Sequence, residues 1–218
     1  MEINEMINDL VKDLRPVRTI WPFGARLAAW LSVAAAATVG LLLAVSARRD
    51  LDLMLRSSRL VIDAGTVAVM AVTAAWGALR LSVPGEERAW FHKYLPVAIL
   101  GFWFIFSIVQ IAADAIQSGL EALIPDPHVV CALLIAGAGT LLTVPLGLLI
   151  RGAAPLDPRW CGALAALAAS SAALVGVEMI CVYERPAHFG LYHVLPVTLF
   201  TLAGAWLGPK LLPPLPEK

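Results

Sequence analysis

Apolar runs long enough to cross a bilayer recur six times along the chain, separated by short polar stretches. They fall at about 27–45, 60–79, 95–113, 129–150, 160–180 and 192–211. A hydrocarbon core of roughly 30 Å needs about 20 apolar residues in a helix. Helices are required, because an open strand leaves backbone groups unsatisfied in lipid. The pattern therefore predicts an all-α, polytopic membrane protein with six transmembrane helices. Trp21, Trp90, Phe91, Tyr94, Trp160, Tyr183 and Tyr192 lie near the predicted ends, where amphipathic rings settle. Pro96, Pro145 and Pro196 fall inside spans and mark kinks or first turns. The fifth span opens with a run of Ala, Gly, Ser and Leu after Cys161, a composition that suits close packing inside a bundle.

A different pattern precedes the first span. Ile3, Met6, Ile7, Leu10, Val11 and Leu14 recur with the spacing of one helical face. Glu2, Glu5, Asp9, Lys12 and Asp13 occupy the rest. Pro16 ends this helix near Leu14 or Arg15. A helix of about 12 residues is marginal alone and needs a surface for its apolar stripe. Membrane-surface helices are usually basic, and this one is acidic. It suits a groove on a basic, hydrophobic protein partner, or packs on the chain's own cytoplasmic loops. Three regions result: a cytoplasmic partner-binding segment (1–24), the six-helix domain (25–211) and a cytoplasmic tail (212–218). No cleavable signal peptide is expected, since the first apolar run is too long for one.

Composition agrees with the membrane reading. Of 218 residues, 60% are hydrophobic and 15% charged, with a mean hydropathy of +0.80; soluble domains are about half apolar and a quarter charged. Net charge is zero, so no basic field points to direct nucleic-acid binding. Lys and Arg set the orientation. With the N-terminus in the cytoplasm, inner segments hold eleven basic residues and outer segments five. That bias predicts both termini inside. The loop from Arg48 to Arg59, with four arginines, argues the other way.

Three cysteines do not make a disulfide scaffold, but topology sorts them. Cys131 opens the fourth span and Cys181 follows the fifth, both at the outer side; Cys161 begins the fifth span at the inner side. A short loop joins spans four and five and favours an antiparallel neighbouring pair. Cys131 and Cys181 can therefore share a layer from which Cys161 is excluded. His128, His188 and His193 belong to the same layer, with Asp114, Asp126, Glu178 and Glu184 nearby. Cys and His are soft metal ligands, so a redox dithiol and a metal site at His128, Cys131, Cys181, His188 and His193 are both open. Free cysteines also pack simply as small hydrophobes, the reading kept for Cys161, and His188 and His193 could equally cap the sixth helix at the interface. Asp63 and Glu178 lie near span ends, within reach of water at the outer interface.

Leu10-Val-Lys-Asp-Leu-Arg-Pro-Val-Arg18 just before a first membrane helix resembles the N-terminal signature of the NrsF-like family, negative regulators of sigma F. The six-span layout, Cys131, Cys181 and the segment Arg185-Pro-Ala-His-Phe-Gly-Leu-Tyr-His-Val-Leu-Pro196 extend the resemblance over nearly the whole chain. Two local departures stand out: Val182 and Tyr183 follow Cys181 where a proline is expected, and Tyr192 replaces a Trp before His193. The resemblance implies a non-enzymatic, multi-pass anti-sigma factor of the bacterial inner membrane. Its cytoplasmic segment, with Leu10, Leu14, Arg15, Pro16 and Arg18 as partner-binding residues, would hold an extracytoplasmic-function sigma factor and release it on oxidative or heavy-metal stress sensed at Cys131 and Cys181. No cofactor is implied beyond a metal ion at the Cys/His layer.

Two other classes fit less well. A membrane thiol oxidoreductase needs a closely spaced dithiol, and the chain has no Cys-x-x-Cys and no His-Glu-x-x-His. A small transporter usually shows internal repeats around a midplane site, and the two halves show none.

Overall fold

The computed structural model describes residues 7, 11, 19–49, 52, 56–85 and 90–212. Six long helices lie among them: α1 (Phe23–Val45), α2 (Ser58–Leu81), α3 (Trp90–Ser118), α4 (Val130–Arg151), α5 (Pro158–Glu178) and α6 (Pro186–Leu211). All six are long and apolar enough to cross a membrane. A short 3-10 turn, Leu120–Leu123, lies between α3 and α4, and no strand occurs among the described residues. Of the expected N-terminal helix, only Ile7 and Val11 are described; both are helical and exposed. The candidates Leu10, Leu14, Arg15, Pro16 and Arg18 lie outside the described residues.

Four helices contain their predicted spans; α4 starts one residue later than expected and α5 ends two residues earlier, and two of the six run well beyond the prediction. α3 reaches 29 residues, because Trp90, His92 and Lys93 at one end and Asp114 to Ser118 at the other continue the helix past the apolar stretch. α6 begins at Pro186, six residues before the predicted start at Tyr192. Proline suits a first helical position, where its missing N–H costs nothing.

α5 is the central helix. It packs chiefly against α6, α2 and α4, and also meets α1. Its small residues make this possible: Ala165, Ala166, Ala168, Ala169, Ser170 and Ser171 are all buried, and backbones approach closely where side chains are short. On α6, Gly204 and Gly208 meet Gly162 of α5 so closely that a Cβ on any of them would strike the opposing backbone. α2 offers a matching face. Val67, Met70, Ala71, Ala74, Ala75 and Ala78 are buried at helical spacing. Leu43, Ile105, Leu133, Leu141 and Leu202 are all more than half exposed, as a lipid-facing perimeter requires.

Polar contacts close both ends of the bundle. At one end Arg26, in the first turn of α1, is buried and donates to Ser82 Oγ (2.7 Å) and to the Leu149 carbonyl (3.0 Å), tying α1 to α2 and α4. Lys93 pairs with Asp157 at 2.8 Å. Asp157 also caps α5 by accepting from the Trp160 amide at 3.4 Å. Cys161 lies at this end, fully buried near Asp157, Lys93 and Arg26. The opposite end holds the other two cysteines.

Candidate functional site

Cys131 sits in the first turn of α4, and Cys181 lies just beyond the last turn of α5. Both are buried, and their sulfurs are 3.6 Å apart. Antiparallel packing of α4 and α5 brings together two thiols separated by 50 positions. Neither is in a disulfide. The stretch carrying Cys181 is fixed from outside the helix pair. Arg48, just past the end of α1, donates to the Cys181 carbonyl (2.9 Å) and to Glu184 Oε1 (2.7 Å), and its amide donates to the Met179 carbonyl (3.1 Å).

The start of α6 supplies two histidines. His188 and His193 are 0% and 1% exposed, which replaces the expectation that they cap the helix at the interface. Their common aim needs an unusual local geometry. Residues five apart lie about 140° round an α-helix of 3.6 residues per turn. Gly190–Val194 forms a π-helical turn, whose i→i+5 pattern brings such residues nearly into line. His188 and His193 therefore face the same cysteine pair.

One ligand atom from each of Cys131, Cys181, His188 and His193 lies within 4.8 Å of the others. His188 Nδ1 is 3.1 Å from the Asp126 carbonyl, and Nε2 is 3.6 Å from Cys181 Sγ. A proton on Nδ1 donated to that carbonyl leaves the Nε2 lone pair facing the sulfur, the arrangement usual for a metal-ligating imidazole. The Cys131 thiol donates to Cys181, and with His193 alongside it holds the Cys181 thiol below its ordinary pKa despite burial. His128 stands apart from this group. It is exposed and packs with its ring tilted against Tyr183, whose ring in turn stacks on His188. Tyr183 Oη lies 3.0 Å from His128 Nδ1. Four of the five predicted ligand residues thus converge, and His128 covers them from one layer out.

An acidic layer lies next to the thiols. Asp63 of α2 and Glu178 of α5 are each 4% exposed, so neither reaches water as the sequence suggested. Asp63 accepts a hydrogen bond from Trp103 Nε1 of α3 at 2.6 Å. Both oxygens of Glu178 and both ring nitrogens of His193 are buried without a hydrogen-bond partner among the described residues. Unsatisfied buried polar atoms are rare, and beside two thiols they suit a bound soft cation. Tetrahedral zinc bonds of 2.0–2.3 Å place ligands about 3.3–3.8 Å apart. The set needs only a small contraction to reach that spacing.

Comparison with known proteins bears on what this arrangement belongs to. The family described as "Negative regulator of sigma F" (NrsF) matches residues 10–213, which include all six helices. The chain belongs to the NrsF family. A curated relative, the probable anti-sigma-F factor NrsF of Azospira oryzae, is 29% identical over 183 residues, covering 82% of this chain and 84% of that protein. No solved structure matches the chain. The family is one of anti-sigma factors, regulators whose partner is a sigma factor.

Within this NrsF chain, two parts of the site escaped the sequence reading. Arg48 counted there only as a loop charge, and Trp103 only as an apolar residue in mid-span. The polar residues nearest Trp103 in sequence, Ser107 and Gln110, carry no charge, and its partner Asp63 is on another helix. A tryptophan in a span whose neighbour carries an intramembrane acid is the signal that could have paired them.

Proposed function

We propose that this NrsF-family chain is an integral membrane anti-sigma factor that holds an extracytoplasmic-function sigma factor at the cytoplasmic face through residues 1–24. Cys131 and Cys181 are its sensor. Oxidation of the pair, or capture of a soft metal by the pair with His188 and His193, shifts α4 and α5 and withdraws the N-terminal segment from its partner. The observation that carries the sensing role is the 3.6 Å approach of two free thiols, one in the first turn of α4 and one just past the end of α5, beside two buried histidines. Packing alone gives no reason to bury unpartnered imidazole nitrogens there. The partner-holding role rests on family membership together with the acidic amphipathic pattern Ile3, Met6, Ile7, Leu10, Val11, Leu14, which fits a basic, hydrophobic groove.

Two variants of the full chain separate these roles. A Leu10→Asp, Leu14→Asp chain should insert normally, fail to co-purify with the sigma factor, and leave sigma-dependent transcription on without stress. A Cys131→Ser, Cys181→Ser chain should keep its partner and stay silent under oxidant or cadmium. Normal induction in the cysteine variant would remove the sensing role while leaving the anti-sigma role intact.

A further inference from the structure

Away from Cys131 and Cys181, near the Arg26 end, a cleft of about 450 Å³ runs between α4 and α6. Both helices pack on α5 and touch each other little, so α5 forms its floor with Gly162, Ala165 and Ala166. Small residues keep it open: Gly147 stands on the α4 wall and Ala203 on the α6 wall. A Cβ at Gly147 would meet nothing within 4 Å. Thr140 and Thr143 also line the cleft, and their hydroxyls donate to the Ala136 and Gly139 carbonyls of their own helix. They therefore present little polarity to an occupant.

The cleft has one charged end. On α4 it extends from Thr140 to Arg151, eleven residues or about 16 Å of helical rise. That is close to the thickness of one leaflet's hydrocarbon, half of roughly 30 Å. Arg151 is exposed at its mouth, in the last turn of α4. Arg159 and Lys210 stand at the same end of the bundle, and Lys210 lies 3.6 Å over the Trp206 ring. The shape is a slot of acyl-chain depth with a cationic rim. Water cannot fill an apolar slot, and an empty one forfeits the contacts that hold helices together in lipid.

We propose that this cleft is a binding site for an anionic phospholipid, one acyl chain lying between α4 and α6 and the phosphate meeting Arg151. Basic pockets between membrane helices hold such head groups by the same chemistry.

Native mass spectrometry of the full chain, delipidated and then given equal amounts of phosphatidylglycerol and phosphatidylcholine, tests this. The expected spectrum shows a retained phosphatidylglycerol in preference to phosphatidylcholine. Gly147→Phe and Ala203→Phe, each filling the slot, should lose the adduct. Leu133→Phe, on the lipid-facing side of α4 outside the cleft, should keep it. Arg151→Gln should retain lipid but with its preference for phosphatidylglycerol reduced about fivefold. Unchanged retention in a folded, slot-filled variant would overturn the proposal, as would an Arg151→Gln chain with wild-type preference. A lipid-free wild-type dimer would assign the cleft to a second copy and overturn it equally.

Discussion

Trp103 and Asp63 show what one polar contact is worth inside an apolar bundle. The indole donates to a carboxyl that is 4% exposed, in a setting where no water replaces a lost donor. Trp103→Phe removes the donor and also shrinks the buried indole to a phenyl ring, so it should lower stability by about 1–3 kcal/mol for the lost hydrogen bond with a cavity cost added, read as a fall in Tm in detergent. Asp63→Asn keeps an acceptor for the indole and should cost less. The two changes share one hydrogen bond, so their effects combined should fall short of additivity. At this scale the sequence was informative about residue types and poor about partners. Cys131, Cys181, His188 and His193 were selected because Cys and His in one topological layer suggest ligands. Glu178 and Asp63 were placed near water because their span ends are near water, yet α3, α5 and α6 bury them. Arg48 gave no signal, since its carbonyl partner on Cys181 exists only once α1 has packed beside α5.

Among the elements, α6 is where pattern and structure diverge most. Its first residues, with Pro186, His188 and Gly190, read as a loop because they are neither continuously apolar nor spaced for an α-helix. The π turn resolves both features, letting a helix begin early and present residues five apart on one face. Deleting Leu191, which is exposed, should convert that turn to regular α-helix and preserve the register of the following turns. His188 and His193 would then be four apart and still share one face of the α-helix, so both should keep the cysteine pair. Circular dichroism should show unchanged helix content, and cadmium affinity should stay well above that of a His193→Ala chain. The α5–α6 contact makes the opposite demand. Gly204→Val places side-chain atoms where the Gly162 backbone lies, and overpacking of this kind costs about 1–3 kcal/mol or more; a lowered Tm with loss of the monomeric folded species is the expected result. The apolar spans themselves were plain in the sequence because a membrane helix must be apolar over its whole crossing, whatever its neighbours are.

For the whole molecule, the predicted placement of the two ends has a direct check. On a cysteine-free background, a cysteine at Glu184 should react with an impermeant maleimide added outside intact cells, and one at Lys210 only after the membrane is opened. Labelling of Lys210→Cys from outside would reverse the orientation and move the thiol pair to the cytoplasm. The lysine and arginine count carried that orientation almost alone, and the loop from Arg48 to Arg59 weakened it. Part of that weakness now has a cause: Arg48 is buried against Cys181 and Glu184, so its position answers to packing more than to charge sorting.

The glycine contact between Gly162, Gly204 and Gly208 sits far from the Cys131–Cys181 pair, about 28 Å of helical rise from Cys181 along α5 and the turn beyond it. Backbones held that closely cannot slide past one another, so the contact acts as a fulcrum. An ångström of movement at Cys181 then becomes a tilt of only about 2° for a rigid α5. Alanine and serine side chains along α5 have few rotamers in which to absorb such a tilt. The helix then acts as a stiff lever whose short arm lies beside Arg26, Lys93 and Asp157, so an ångström at Cys181 reaches those contacts as only about 0.3 Å, and the ends of α1 and α6 beside the thiols take up most of the movement.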